Sequence, residues 1–145
     1  MILYTAQLPS RNCGINLAFE EAFFHVAKPV RSLYLFFYEN NDALVLGKSL
    51  VTEEEVYEHK GPPVYRRISG GGSVLHCRGN LNYSLFLSLE DFPELMNVSL
   101  SYEKILGGIA HVLGHSVAQR GYSDLTIRCR GADRKQGSET VFRNF

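Results

Sequence analysis

Residues 66–76 read Arg-Arg-Ile-Ser-Gly-Gly-Gly-Ser-Val-Leu-His, and residues 79–84 follow as Gly-Asn-Leu-Asn-Tyr-Ser. The three glycines carry no side chain that keeps a ligand from the backbone, and they tolerate positive φ angles. Two arginines precede them and a histidine follows, so exposed amides lie among cationic and hydrogen-bonding groups. Such a loop is suited to bind a phosphate or a carboxylate. A glycine-rich turn with ordinary flanking charges accounts for the same residues equally well.

The segments on either side of the glycines are predicted strands. Residues 64–68 lead into the loop, and residues 73–76 leave it as a second strand rather than a helix. A P-loop or a dinucleotide-binding fingerprint needs its glycines between a strand and a helix, and a P-loop also needs Gly-Lys-Ser/Thr. The strand–loop–strand setting excludes both.

Composition narrows the class of protein. The chain has 145 residues, enough for one domain, and its fifteen basic residues balance fifteen acidic ones. This balance argues against a general nucleic-acid or membrane-surface binder. Three separated cysteines, Cys13, Cys77 and Cys129, form no CxxC pair, so neither a disulfide framework nor a zinc knuckle is predicted. Free thiols, together with the lack of a signal peptide or a long apolar segment, predict a cytoplasmic protein.

The N-terminal segment predicts a strand and a helix. Residues 2–4 form a short apolar run typical of a strand. From Asn16 the apolar residues recur at helical spacing, with Glu20 and Glu21 placed toward the start of the helix, where acidic residues suit the helix dipole. Pro29 is expected to end this helix.

A hairpin and a short helix are predicted before the glycine loop. Residues 32–38 are apolar at both parities, which predicts a strand covered on both faces. An Asn-Asn-Asp turn signal and the apolar run 43–46 then predict the return strand of a hairpin. Thr52, with Glu55 three residues later, predicts a capping box and a short helix to about Lys60.

The segment after the loop predicts the clearest strand. Residues 81–88 alternate between apolar and polar positions, which predicts a half-buried strand antiparallel to residues 73–76. The face expected to be buried carries Leu81, Tyr83, Leu85 and Leu87. The opposite, polar face is expected to line the same surface as the glycine loop.

A helix from about Ser99 or Ser101 to Leu113, closed by Gly114, and a strand at residues 125–128 complete the prediction. A polar loop follows, with no further strand or helix expected. His111 and His115 lie four apart, a spacing that can bind a metal, but they lack a third ligand and are interpreted as solvent-facing. The buried stripe of the helix is predicted to contain Leu106, Ile109, Ala110 and Leu113. The order of elements predicts an α+β fold with a mainly antiparallel sheet flanked by helices.

The long motif at residues 66–76, with Gly79-Asn80, closely resembles the hallmark of the lipoate–protein ligase A family, Arg-Arg-x-Ser-Gly-Gly-Gly-x-Val-x-His-Asp followed by Gly-Asn. Further matches occur in the right order along the chain. Residues 16–21 resemble the first-helix signature of the family, and residues 44–47 its strand ending in glycine. Residues 123–125 resemble its Asn-Asp-Leu segment, and residues 133–135 the run that holds its key lysine.

The resemblance implies a fold shared with biotin protein ligases and related to class II aminoacyl-tRNA synthetases. It also implies a two-step reaction in which lipoate and Mg²⁺–ATP give lipoyl-adenylate, and a lysine of an acceptor lipoyl domain then takes the acyl group. The acceptors would be lipoyl domains of 2-oxoacid dehydrogenase complexes or the H protein of glycine cleavage, with no nucleic acid and no membrane as partner. Lys135 is implied as the catalytic residue, and no metal ligand is identified. The implied ATP- and lipoyl-adenylate-binding residues are Arg67, Ser69, Gly70, Gly71, Gly72, Ser73, Val74, Leu75, His76, Asn80 and Lys135.

Three departures from the family pattern stand out. Cys77 occupies the position of the aspartate, and the residues after Lys135 are out of step with the usual x-Ser-Gly-x-Ala. The sequence also ends before the His-Gly-Thr strand that normally follows. We therefore expect residues 1–145 to be the N-terminal portion of a ligase catalytic domain, without its C-terminal part and accessory domain.

Other functions remain open at this point. One is an ATP-independent octanoyl or lipoyl transferase of the same fold that works through a cysteine thioester, with Cys77 and Cys129 as the cysteines near the motifs. Another is a non-catalytic, degenerate binding module. A biotin-type ligase ranks low because the Gly-Arg-Gly-Arg character of its loop is missing here.

Overall fold

The computed structural model describes residues 1–56, 60–114, 117–120, 124–127 and 140–143. They fall into two compact units, Met1–Asp91 and Phe92–Phe145. The elements of the first unit are β1 (Ile2–Gln7), α1 (Cys13–Val26), β2 (Ser32–Glu39), β3 (Ala43–Leu46), α2 (Thr52–Glu55), β4 (Val64–Arg66), β5 (Val74–His76) and β6 (Leu81–Phe86). Those of the second unit are a 3₁₀ turn (Pro93–Met96), α3 (Val98–Leu113), β7 (Val117–Arg120), β8 (Asp124–Ile127) and β9 (Thr140–Arg143).

The first unit contains two mixed sheets. One has the order β1-β2-β6, with β1 parallel and β6 antiparallel to β2. The other has the order β4-β3-β5, with β4 parallel and β5 antiparallel to β3. Parallel neighbours need a crossover connection, which α1 supplies between β1 and β2. The predicted α+β class is confirmed, with sheets that mix parallel and antiparallel pairs.

The predicted hairpin of β2 and β3 is wrong, because the two strands belong to different sheets. Asn40, interpreted from sequence as a turn residue, is 1% exposed and forms side-chain hydrogen bonds inside the unit. The predicted pairing of residues 81–88 with residues 73–76 is also wrong, since β6 pairs with β2. A turn containing Gly79, at φ 92°, carries the chain back from the second sheet to the first.

Helix α1 packs against both sheets. It begins at Cys13, where the Asn12 side chain accepts a hydrogen bond from the backbone N–H of Ile15. Glu20 therefore lies in the middle of the helix, and the expected acidic first turn is wrong. Cys13 and Leu17 pack with Ala43 and Val45 of the second sheet.

An aromatic cluster joins α1 to the first sheet. The Phe23 ring lies 4.9 Å from the rings of both Phe36 and Phe86 and 5.0 Å from that of Tyr34. Phe86 is on the face of β6 that the alternation predicts to be open, so α1 covers that face, whereas Leu81 on the other face is 65% exposed. The predicted orientation of this strand is therefore wrong, because the large aromatic residue outweighs the polar residues beside it.

The predicted capping box at Thr52 is also wrong. Val51 is the N-cap residue of α2 and provides no side-chain cap, while the Thr52 hydroxyl accepts a hydrogen bond from Arg66. The helix ends at Glu55, short of the predicted Lys60.

The second unit is built on α3 and a three-stranded antiparallel sheet of order β7-β8-β9. Asn97 caps the start of α3, and Gly114, at φ 94°, follows its last residue as predicted. Leu106 is buried as predicted, but Leu113 is 56% exposed. The sequence pattern predicts β8 but not β7, and β9 contradicts the expectation of no further strand. His111 is exposed, as predicted, and His115 lies outside the described residues.

Candidate functional site

Arg67 fixes the glycine loop between β4 and β5 by hydrogen bonds to its backbone carbonyls. Its guanidinium donates to the carbonyl of Gly70 from Nε (3.2 Å) and Nη2 (2.7 Å), to that of Gly72 from Nη2 (2.9 Å), and to that of Val45 from Nη1 (3.4 Å). In a trans peptide the N–H points opposite to the C=O. The amide N–H groups of Gly71 and Ser73 therefore face away from Arg67. The loop therefore has two backbone N–H donors on its outer side, and backbone N–H donors are groups to which an anion binds.

A second contact fixes the loop against the end of β3. A Cβ atom on Gly47 would lie 2.1 Å from the carbonyl oxygen of Gly71, so only glycine permits this approach. The backbone N–H of Lys48 donates to the carbonyl of Ser69 at 2.9 Å. Arg66 secures the same segment, donating to the carbonyls of Gly47 (2.9 Å) and Leu50 (2.7 Å).

The adjacent arginines thus serve different segments. Successive side chains of an extended backbone point to opposite sides. Arg66 binds the segment after β3, and Arg67 binds the glycine loop itself. At the far end of the loop, the Ser73 hydroxyl donates to the carboxylate of Glu55 on α2.

A partly buried polar cluster joins Glu20 of α1 to Tyr38 of β2 and Ser84 of β6, within the electrostatic influence of Arg67. The carboxyl group of Glu20 accepts hydrogen bonds from the hydroxyls of Tyr38 and Ser84. Burial raises the pKa of Glu20, against the opposing effects of the Tyr38 hydrogen bond and the positive charge of Arg67. Burial and the neighbouring Glu20 also raise the pKa of Tyr38, so its phenol stays protonated. This cluster offers hydrogen-bonding groups in a low-dielectric setting.

His76, the last residue of β5, is 8% exposed and belongs to a second buried network. Its Nδ1 lies 2.8 Å from Asn40 Nδ2, and Asn40 Oδ1 accepts from Asn16 Nδ2 at 2.8 Å. Burial and the nearby charge of Arg67 lower the pKa of His76, which favours the neutral imidazole. Asn40 also donates to the Cys13 sulfur at 3.4 Å, and burial raises the pKa of that thiol to about 11.

The structure brings together several of the site residues that the sequence predicts. The Arg67 guanidinium contacts Gly70 and Gly72, and its charge acts on His76. Leu75 and Cys77 line an open cleft of about 410 Å³, together with Asp42, Lys60 and residues 61–63. Exposed residues include Ser69, Gly71 and Asn80, whereas Val74 is half-buried and pairs with Val45. Lys135 lies outside the described residues.

The sequence prediction misses the polar residues on the inner face of α1. It places Asn16 and Glu20 toward the helix start, whereas in the structure they share one stripe with the buried Cys13 and Leu17. The signal was available, because positions 13, 16, 17, 20 and 23 follow the spacing of a single helical face. A glutamate on that face, close to phenylalanines, indicates a buried carboxyl group.

Neither a metal cluster nor a membrane helix is found in the described parts of the chain. No group of three or more His, Cys, Asp or Glu residues is placed there to hold a metal ion, so no ligand set for Mg²⁺ is assigned. None of the described helices is long and apolar enough to cross a bilayer.

Comparison with known families identifies the domain. The profile of the lipoyl protein ligase A/B catalytic domain matches residues 12–140. The chain belongs to this family. Among curated members, lipoate-protein ligase LplJ of Bacillus subtilis (strain 168) is 36% identical over 117 residues, which cover 78% of this chain and 34% of LplJ. The chain therefore spans about a third of the length of that relative.

Solved structures of lipoate ligases share the fold. A bi-partite lipoate protein ligase from Thermoplasma acidophilum, studied with its E2 lipoyl domain, is 24% identical with a TM-score of 0.57, covering 87% of this chain and 50% of the other. A lipoate-protein ligase A bound with ATP is 23% identical with a TM-score of 0.52, covering 85% and 55%. These similarities confirm the predicted ligase fold.

Proposed function

We propose that this lipoyl protein ligase A/B domain is part of an ATP-dependent lipoate–protein ligase. The observation that carries the proposal is the glycine loop, whose Gly71 and Ser73 amides are turned outward because Arg67 holds the preceding carbonyls, those of Gly70 and Gly72. An array of fixed amides suits the phosphates of ATP and of an acyl-adenylate. The names of the relatives, lipoate ligases that include one bound with ATP, support the same assignment.

The proposed reaction has two steps. The carboxylate of lipoate attacks the α-phosphorus of ATP, releasing pyrophosphate and forming lipoyl-AMP. The neutral amine of an acceptor lysine then attacks the acyl carbonyl, forming an amide and releasing AMP and the proton that the amine loses. Both steps develop negative charge on oxygen, which fixed N–H donors and a cation stabilise without a protein nucleophile.

We assign the groups of this chain as follows. The glycine-loop amides bind the phosphates, and Arg67 holds the loop in the shape that presents them; direct contact of Arg67 with a phosphate stays a prediction. Lys135 is proposed to bind the acyl carbonyl and the adenylate. Mg²⁺ would arrive with ATP and be held largely by phosphate oxygens and water. Lipoyl domains of 2-oxoacid dehydrogenase complexes or the H protein of glycine cleavage are the proposed acceptors, in the cytoplasm.

The test is to incubate the protein with lipoate, ATP, Mg²⁺ and an acceptor lipoyl domain, and to measure the acceptor mass. Acylation that depends on ATP is expected. If the protein forms neither lipoyl-AMP nor acylated acceptor in the presence of ATP, the proposal is refuted. Lys135→Ala should abolish acylation, whereas Lys104→Ala, an exposed lysine on α3, is the matched control and should retain it.

The transferase alternative has a separate signature. Acylation from a lipoyl- or octanoyl-protein donor without ATP, lost in Cys77→Ser or Cys129→Ser, would favour the thioester route. Cys13 is not a candidate nucleophile, because it is 3% exposed and its raised pKa keeps it protonated.

A further inference from the structure

The network that reaches His76 has a fixed direction of hydrogen donation. It begins at the backbone carbonyl of Ser10, which can only accept, so the group that contacts it at 3.0 Å is the Asn16 NH₂. The other hydrogen of the same NH₂ points to Asn40 at 2.8 Å, where it must meet the carbonyl oxygen of that amide. This contact fixes the orientation of the Asn40 side chain.

The remaining end of Asn40 is therefore its NH₂ group. One hydrogen is directed to the Cys13 sulfur at 3.4 Å, and the other to His76 Nδ1 at 2.8 Å. A ring nitrogen that accepts a hydrogen bond carries no proton, so the proton of a neutral imidazole must lie on the other nitrogen. The lowered pKa of His76 is consistent with this neutral form.

We propose that Asn40, oriented by Asn16, is a positioning residue that holds His76 as the Nε2–H tautomer, so that His76 serves the site as a hydrogen-bond donor and not as a base. The ligand chemistry that this donor recognises is an oxygen acceptor, such as a carbonyl or phosphoryl oxygen of the acyl-adenylate. That last part rests on the proposed ligase function; the tautomer does not.

The arrangement explains why two asparagines and a thiol are buried together beside the first turn of α1. Buried polar groups are retained only when they are paired, and an unpaired member costs stability. Asn16 and Asn40 are each 1% exposed, and their side-chain hydrogen bonds form one chain from Ser10 to the imidazole. Arg67 is the charged group whose field acts on His76, and a neutral donor tolerates that neighbour better than an imidazolium does.

The tautomer is measured directly by ¹⁵N NMR of the protein with labelled histidine, since the shifts of Nδ1 and Nε2 distinguish bare from protonated nitrogen. The sequence has five histidines, and His76→Gln assigns the signal. We expect a bare Nδ1 and a protonated Nε2 at neutral pH. A protonated Nδ1, or an imidazolium, would overturn the proposal.

Asn40→Asp tests the cause. A carboxylate only accepts, so Nδ1 should become protonated, whereas Asn41→Asp, an exposed change of equal charge next to it, should leave the His76 signals unchanged. Unchanged signals in Asn40→Asp would contradict the proposal. If that variant fails to fold, the spectrum of the unaltered protein decides the tautomer alone.

The donor role has its own test. His76→Leu should lower kcat/KM for acylation about ten- to a hundredfold, the loss expected for one hydrogen bond to a charged or strongly polar acceptor. In His76→Gln the amide N–H lies near the Nε2 position, so the kcat/KM of this variant should be about tenfold higher than that of His76→Leu. Equal losses would reject the donor role. A protein that makes no lipoyl-AMP would instead refute the ligase function, leaving the NMR result standing.

Discussion

Gly47→Ala is the substitution that most directly tests how the glycine loop is built. The new methyl carbon would lie 2.1 Å from the Gly71 carbonyl oxygen, whereas ordinary contacts begin at 3.4 Å, so the two backbones must separate by roughly 1.3 Å. Overpacking of this kind costs about 1–3 kcal/mol. The separation also breaks the hydrogen bond from Lys48 N–H to Ser69 C=O, worth about 1 kcal/mol. We expect a loss of about 2–4 kcal/mol in the free energy of unfolding.

Urea unfolding followed by far-UV circular dichroism measures this loss, since the chain has no tryptophan to serve as a fluorescent probe. Gly70→Ala is the matched control, because a Cβ there meets no atom within 4 Å. It should change stability by less than about 0.5 kcal/mol, although its methyl group on the amide surface should weaken ATP binding. An unfolding curve for Gly47→Ala that overlays that of the unaltered protein would refute the close approach of β3 to the loop.

Three further substitutions test other contacts. Arg67→Lys should cost about 2–3 kcal/mol of stability and weaken ATP binding, since an ammonium cannot bridge the loop carbonyls as a guanidinium does; Arg66→Lys, more exposed, should cost less in a parallel urea titration. The raised folded-state pKa of Glu20 makes its ionisation destabilising, so the free energy of unfolding of the unaltered protein should fall as the pH rises above 4.5, the ordinary pKa of the carboxyl. Glu20→Gln removes the ionisable group and should show a smaller fall. The same pH profile in both proteins would contradict the burial of this carboxyl. Phe23→Ala should lower the free energy of unfolding by about 3 kcal/mol. Phe24→Ala, at a position 60% exposed, should lower it by less than about 1 kcal/mol. Equal losses would contradict the orientation of α1 in which Phe23 faces the sheet and Phe24 faces solvent.

Local patterns predicted most elements of the first unit but not their partners. The apolar run at residues 32–38 and the alternation at residues 81–88 each identify a strand, and these two strands pair with one another across more than forty residues of sequence. Periodicity records which residues are apolar and carries no information on which strand lies beside which. The Asn-Asn-Asp segment illustrates the limit. Asparagine favours turns in general, but Asn40 is held by buried partners that only the folded chain brings together.

The candidate site likewise contains residues that the sequence could locate and residues that it could not. The glycine loop and its arginines are contiguous in sequence, so the motif and the family resemblance locate them. The donors and acceptors around them come from α1, β2 and β6, and a contiguous motif cannot list side chains that meet only in space. Glu20 is the clearest case: its neighbours Tyr38 and Ser84 explain why it is buried. The role of Lys135 stays a prediction.

The buried thiol of Cys13 gives this domain a built-in reporter of its own opening. The sulfur sits in the first turn of α1, is 3% exposed, and has a pKa raised to about 11. Thiol-reactive reagents attack the thiolate, so this cysteine becomes reactive only when α1 leaves the second sheet. With Cys77 and Cys129 replaced by serine, the rate of Cys13 alkylation therefore reports how often the helix detaches. Such labelling would separate detachment of the helix from global unfolding, without adding any probe to the glycine loop.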